Sequence, residues 1–264
     1  MLDNPLVSVL MTSYNREKYI AQAIESVLSS TYINFELIIV DDQSKDKTVN
    51  IAQSYAASDS RVQVYVNDQN LGDYPNRNKA ASYATGKYIK YLDSDDIIYP
   101  HSLTVMVSCM EKFPGAGYGV SSKDHRGPLP VVLNPRESYH ESFFGGAHFD
   151  RAPGSVIINR SIFEKTGGFS GKRMIGDYEL WMKLSLKHDT VIMPMYLYWS
   201  RKHDQQESKS AYAKDYKNLR ERVLEEALNN PDCPLTVEEK KKIVSRNQKK
   251  ELLSKLKSFI HNFT

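Results

Sequence analysis

Tyr88-Ile89-Lys90-Tyr91-Leu92-Asp93-Ser94-Asp95-Asp96 runs an apolar stretch straight into three carboxylates. Positions 88–92 predict a buried strand, and the acids fall at its carboxyl end. Acids crowded at one strand end repel one another and cost desolvation unless a cation sits among them. Oxygen ligands with no Cys or His beside them suit a hard divalent ion, Mg²⁺ or Mn²⁺. Asp93-Ser94-Asp95 has the Asp-x-Asp form that holds a metal against a nucleotide diphosphate. Asp95 is the foremost candidate metal ligand, and Asp93 is a candidate for the metal or for a ribose. Capping and turn formation ahead of Pro100 would account for one such acid, but not for three in four positions.

Upstream of this segment, strand and helix signals alternate. Leu6 to Met11 and Phe35 to Val40 are short apolar runs fit for strands buried on both faces. Between them Tyr19, Ile20, Ala23, Ile24, Val27 and Leu28 recur at helical spacing. Val49 to Tyr55 predicts a second helix, Val62 to Val66 a third strand, and Asn76 to Ala84 a third helix. Such alternation builds a parallel sheet, whose ligands sit beyond the carboxyl ends of its strands. Ser13-Tyr14-Asn15, Asp41-Asp42 and Asp93 to Asp96 all fall at such ends. From about Pro114 to Pro153 the periodicity fades into Gly, Pro, Ser and His, which predicts a long binding loop. Regular signals return as a strand at Ser155 to Ile158, a helix at Tyr178 to Leu186 and a strand at Val191 to Tyr198 broken by Pro194. Beyond Arg201 the chain is polar, helical and Lys-rich, with a break at Asn229-Asn230-Pro231-Asp232.

The 264 residues carry a formal net charge of +3, too small to argue for nucleic acid. Cys109 and Cys233 lie far apart without metal-ligand spacing and read as reduced thiols. The start, Met1-Leu2-Asp3-Asn4-Pro5, shows no basic or apolar leader, and no run approaches the ~20 apolar residues of a membrane span. The expectation is a cytoplasmic enzyme.

Asp41-Asp42-Gln43-Ser44 ends the second strand, either as a polar turn that caps the next helix or as a base-recognition element. A carboxylate offers acceptors only, which suits the imide N–H of uracil or thymine, or a ribose hydroxyl. Pro5-Leu6-Val7-Ser8-Val9, Thr12-Ser13-Tyr14-Asn15, Val40 to Ser44 and Leu92 to Asp96 together resemble family 2 glycosyltransferases, inverting enzymes of the GT-A fold. The resemblance continues through Asn70-Leu71-Gly72, Arg77-Asn78, Ala84 to Tyr88, Arg160 to Phe169 and Gly176-Asp177-Tyr178-Glu179-Leu180-Trp181. It spans roughly residues 5–205 in order; each motif alone is weak and the ordered set is strong.

The resemblance implies roles. Thr12, Tyr14 and Asp42 would line the nucleobase pocket with Asp41 close by, and Arg77 would meet the base or the diphosphate. Asp177 matches the general base, the second acid of a Glu-Asp pair, although Gly176 stands where the first acid is usual. A capping role at the start of its helix is the alternative reading of Asp177. His203, in Arg201-Lys202-His203, would touch the diphosphate or donate a nitrogen to the metal, against the commoner role of a packing histidine. Trp181 and Trp199 are read as core rather than sugar platforms, and Gly154 as a place of close backbone approach.

The expected architecture is one α/β GT-A domain with a mostly parallel sheet over residues 1–205, its nucleotide-binding half 1–100 and its acceptor half 101–205. A helical, Lys-rich extension follows over residues 206–264. Leu252, Leu256, Phe259, Ile260 and Phe263 form an apolar helical face flanked by lysines. Docking on the catalytic domain or on a second copy, as in a homodimer, is one reading; a peripheral contact with an anionic membrane is the other. The implied reaction moves a sugar from a nucleotide-diphosphate donor, with uracil favoured by family habit, to a carbohydrate or lipid-linked hydroxyl in bacterial surface polysaccharide or glycolipid assembly. A catalytically inactive nucleotide-sugar binder and a sugar nucleotidyltransferase are the competing readings. Met11 to Asn15 lacks the glycines of a nucleotidyltransferase or dinucleotide loop.

Overall fold

The computed structural model describes residues 4–122, 128–204, 206, 209 and 211–248, with the backbone alone at 211 and 212. The apolar helical face proposed for residues 252–263 lies outside the described residues. The first half alternates as the periodicities require: β1 (Val7–Ser13), α1 (Ile20–Leu28), β2 (Phe35–Asp41), α2 (Thr48–Ser58), β3 (Val62–Val66), α3 (Asp73–Ala81) and β4 (Tyr88–Tyr91). Then come β5 (Ile97–Ile98), α4 (Ser102–Glu111), β6 (Tyr118–Ser121), β7 (Val131–Leu133), α5 (Pro135–Phe144), β8 (Val156–Asn159), α6 (Arg160–Thr166), α7 (Gly176–Ser185), β9 (Thr190–Met193), β10 (Tyr198–Trp199) and α8 (Tyr216–Asn229). A last described helix, α9, covers 237–248.

The main sheet has the order β3-β2-β1-β4-β8-β6-β9-β7. β3, β2, β1 and β4 are parallel, and so are β6 and β9, while β8 and β7 run against their neighbours. Alternate side chains of each strand feed two cores. Leu10, Ile38, Val40 and Ile89 meet helices α3, α6, α7 and α8 on one face, while Val7, Val9, Met11, Leu37 and Ile39 meet α1, α2 and α4 on the other. Val223, Leu224 and Leu228 of α8, with Cys233, Leu235 and Ile243, complete the first core, so the described extension is packed rather than trailing.

One expectation changes. The stretch 114–153 is not a long loop: it supplies β6, β7 and α5. β6 sits between β8 and β9, where a Cβ on Gly119 would come within 2.9 Å of the Met110 and Met193 sulfurs, so a glycine-bearing strand hides its apolar pattern. The strand expected over 191–198 with a break at Pro194 is divided there, since proline has no N–H for a ladder. Its second piece, β10, pairs antiparallel with β5 in a separate two-stranded ribbon.

Glu36 fastens the first half of the sheet. Its buried carboxylate accepts from Ser8 Oγ (2.6 Å), Thr85 N and Oγ1 (both 2.8 Å) and Gln63 Nε2 (3.2 Å), joining β2 to β1 and to the turn before β4. Burial raises its pKa, but these hydrogen bonds outweigh burial and leave it below the usual glutamate range. A lowered folded-state pKa adds stability above the unfolded value that is lost as the pH falls through the folded one. Glu36→Ala should therefore cost about 1–3 kcal/mol for the donors left unsatisfied, read by urea unfolding at neutral pH. The same series between about pH 5 and 3 should show a flatter acid decline in the variant than in the native chain.

Candidate active site

The carboxyl ends of β1, β2 and β4 open on a cleft of about 470 Å³ that gathers Thr12, Tyr14, Asp42, Arg77, Asp93, Asp95 and Asp177 on one surface. Asp41 and His203 stand behind that surface. The Asp41 carboxylate is spent on structure, accepting from Ser13 Oγ (2.8 Å), Ser44 N (2.7 Å) and Ser44 Oγ (2.6 Å). Asp42 accepts the backbone N–H groups of Leu71 and Gly72, each at 2.8 Å, and Asn67 Nδ2 at 2.8 Å. It draws the segment ahead of α3 over the end of β2. Tyr14 projects into solvent at the rim, 46% exposed, as a free ring face for a planar group would.

The acid cluster comprises Asp93, Asp95 and Asp96, each with a carboxylate oxygen within 4.8 Å of the others. Asp96 joins Asp93 and Asp95, which with His203 are the candidate ligands read from the sequence, and its signal was its place beside Asp95 in the acid-rich segment. Each carboxylate already meets a donor. Asp93 Oδ1 accepts from Arg77 Nη2 at 2.6 Å, Asp95 Oδ2 from Arg16 Nε at 3.0 Å, and Asp96 Oδ1 from the Arg201 N–H at 3.0 Å. His203 Nε2 lies 2.9 Å from Asp95 Oδ2, with its ring stacked on Tyr19 at 4.7 Å. Burial, and then the charge on Asp93, push Asp96 well above the usual carboxylate range. An all-oxygen group with this surplus of negative charge fits a hard divalent cation, which Asp93, Asp95 and Asp96 would hold.

Asp177 sits in the first turn of α7, after Ile175 at the helix cap, and bonds only its neighbour Tyr178 N at 2.7 Å among the backbone amides. Burial raises its pKa to about 6, against the opposing pull of hydrogen bonds from Tyr178 and Tyr74 and of the Arg77 charge. Gly176 explains the missing first acid. A Cβ there would lie 2.9 Å from the Tyr74 ring, so Tyr74 occupies that space and offers its hydroxyl to Asp177. Arg77 is buried with Nε on Asp73 Oδ1 at 2.8 Å, and its Nη1 has no partner. Burial opposes its charge, but Asp73 and Asp93 outweigh that and keep it protonated. Arg16, Asp73 and Tyr74 were not foreseen, because a cluster drawn from three separate segments carries no local sequence pattern.

Behind the cleft, fully buried Lys90 donates to Tyr91 O and Gly154 O, both at 2.6 Å, and fixes the turn 153–155 to β4. What approaches Gly154 is the Tyr198 ring, 2.8 Å from where a Cβ would stand. Trp181 is core, whereas Trp199 is 45% exposed and lies under Arg201, because its two-residue strand is the edge of a two-stranded ribbon.

The family model described as glycosyl transferase family 2 matches residues 8–167, more than half of the chain. The chain belongs to that family. Glycosyltransferase EpsE of Bacillus subtilis is 33% identical to the chain over 190 residues, 69% of this chain and 68% of its own length. The Escherichia coli enzyme named UDP-Glc:alpha-D-GlcNAc-diphosphoundecaprenol beta-1,3-glucosyltransferase WfgD is 42% identical over 111 residues, 42% of this chain and 43% of its own. The chain thus spans less than half of that relative. The crystal structure of Staphylococcus aureus TarS 1-349 in complex with UDP-GlcNAc superposes with a TM-score of 0.73 at 19% identity, over 92% of this chain and 71% of that one. The likeness fixes the fold of this glycosyltransferase as GT-A.

A buried aspartate whose folded-state pKa is raised costs stability above that pKa and stops costing it once protonated. Asp177→Asn should therefore melt no lower than the native chain near neutral pH, and a few degrees higher if burial dominates. Differential scanning fluorimetry at about pH 8 and pH 5 should show the gap narrowing at the lower pH.

Proposed function

We propose that this family 2 glycosyltransferase moves a sugar from a nucleotide-diphosphate donor, a UDP-sugar first among the candidates, to a hydroxyl of a carbohydrate or lipid-linked acceptor. The observation that carries the reading is Asp177, held near pKa 6 by burial, on the same cleft as the three acids at the end of β4. Thr12, Tyr14 and Asp42 border the side of the cleft assigned to the nucleoside, and Arg77 and Arg16 bring positive charge to the diphosphate. An Mn²⁺ or Mg²⁺ ion held by Asp93, Asp95 and Asp96, with His203 bracing Asp95, would supply Lewis-acid charge to the leaving diphosphate.

Asp177 takes the proton of the acceptor hydroxyl as that oxygen attacks the anomeric carbon. The new carbon–oxygen bond forms as the bond to the diphosphate breaks on the opposite face, and the electron pair leaves with the nucleotide. One displacement inverts the anomeric centre. Arg77 keeps Asp177 from drifting further upward in pKa, and Tyr74 holds the carboxylate in place. A role in bacterial surface polysaccharide or glycolipid assembly is supported by the relatives' names. On this reading the reaction runs on the cytoplasmic side, with the acceptor at the membrane. Among the described residues no helix is long and apolar enough to cross one.

A thermal-shift screen of UDP-, dTDP- and GDP-sugars with and without Mn²⁺ tests the donor site. One nucleotide should stabilise the protein in a metal-dependent way, and Asp95→Ala should remove the effect. No response to any nucleotide in either condition would overturn the reading. Asp177→Asn should lose transfer by at least about 100-fold while keeping the donor shift. For the native enzyme, log kcat/KM should rise with slope one up to about pH 6 and then level as Asp177 ionises. A base with an ordinary pKa would instead level near about pH 4.

A further inference from the structure

A second cavity of about 270 Å³ lies across the turn that borders the cleft: Arg151 lines it, while Ala152 and Pro153 line the cleft. Val131, Leu133 and Ile192 give it an aliphatic wall, and Glu141 and His148 join Arg151 as its ionisable groups. The Arg151 guanidinium is badly matched. Among the described residues its buried Nε has no hydrogen-bond partner, and its Nη2 reaches only Ser121 Oγ at 3.4 Å. Among the described residues no carboxylate pairs with it, whereas Arg77 and Arg220 each hold a carboxylate at 2.6 Å. Removing a cation from water without a counter-charge costs several kcal/mol, so an unpaired, partly buried arginine marks a place where charge is missing.

The other polar groups agree. His148 is only 5% exposed, and burial lowers its pKa to about 3, so the ring is neutral. Its Nε2 pairs with Ser138 Oγ at 2.9 Å, and its Nδ1 has no partner. Glu141 is occupied by the Gly146 N–H at 2.8 Å. Among the described residues the cavity therefore has unmet polar atoms on Arg151 and His148, one aliphatic wall, and no acid bound to its cation. A guanidinium with free N–H donors matches a planar carboxylate or a phosphate, and the aliphatic wall matches the apolar face of a sugar ring.

We propose that this cavity seats an anionic group of the acceptor, a carboxylate or phosphate carried on its sugar, against the Arg151 guanidinium. Its place across the 151–153 turn sets the rest of that molecule toward the cleft holding Asp177. The word acceptor rests on the glycosyl-transfer reading above; the anion site stands on the cavity alone.

Titration calorimetry with methyl glucuronide, glycerol phosphate and methyl glucoside tests it. One or both charged probes should bind and the neutral glucoside should not, and the stronger charged probe distinguishes carboxylate from phosphate. Arg151→Gln should weaken that binding by about tenfold or more, the loss expected for a charge-assisted hydrogen bond. Val131→Trp, which fills the mouth without touching the guanidinium, should do the same and covers the case in which the arginine variant does not fold. Charged probes that bind no better than the glucoside, or that bind both variants as well as the native chain, would overturn the site. That result alongside an intact nucleotide-sugar shift would leave the transferase reading standing. Charged-probe binding that needs Arg151, but does not accelerate nucleotide release from the stabilising donor beyond the glucoside rate, would overturn the acceptor role alone.

Discussion

The Arg77 guanidinium is the interaction on which the site depends. It is buried on α3, touches Asp73 and Asp93 directly, and its charge also reaches Asp177. Tyr74 and Tyr91 lie beside it, with ring centroids at 6.0 and 5.8 Å. Three acidic side chains, Asp73 on α3, Asp93 after β4 and Asp177 on α7, would otherwise repel one another across the cleft. One delocalised cation with donors in a fixed fork links these elements, which a lysine's single ammonium would not do. Arg16 and the Arg201 backbone serve Asp95 and Asp96 in the same way, so the acids are held before any ligand arrives. Such preorganisation spares the site from arranging charges at the moment of reaction.

The first half was legible because its three central strands are apolar on both faces and lead into polar residues. Val7 to Ser13, Phe35 to Asp41 and Tyr88 to Tyr91 are buried throughout or nearly so, which is what a parallel sheet covered by helices demands. The second half was less legible for physical reasons. β6 is four residues with a glycine imposed by two methionines, and its burial comes from sheet position rather than from pattern. α5 did announce itself: Asn134 and Glu137 form a capping box with Pro135 at the first helical position, but its low amphipathicity masked the signal.

The site was legible in its acids and not in what positions them. Asp93, Asp95, Asp177, Arg77, Thr12, Tyr14 and Asp42 come together on one cleft, whereas Asp41 faces inward to hold two serines. The apparent departure at Gly176 has a steric origin in Tyr74, about a hundred positions away in the sequence and invisible to any local reading. Arg151 is the reverse case. Nothing around it in the sequence is distinctive, and only the absence of a counter-charge among the described residues gives it meaning.

The central claim is that the acids after β4 and Asp177 serve one bound donor. Anomalous diffraction from crystals grown with Mn²⁺ and the nucleotide diphosphate that stabilises the protein tests it most directly. The account predicts a metal peak among the carboxylates of Asp93, Asp95 and Asp96, with the diphosphate beside it and the nucleoside toward Tyr14. A nucleotide seated elsewhere, or a metal peak away from these acids, would contradict it.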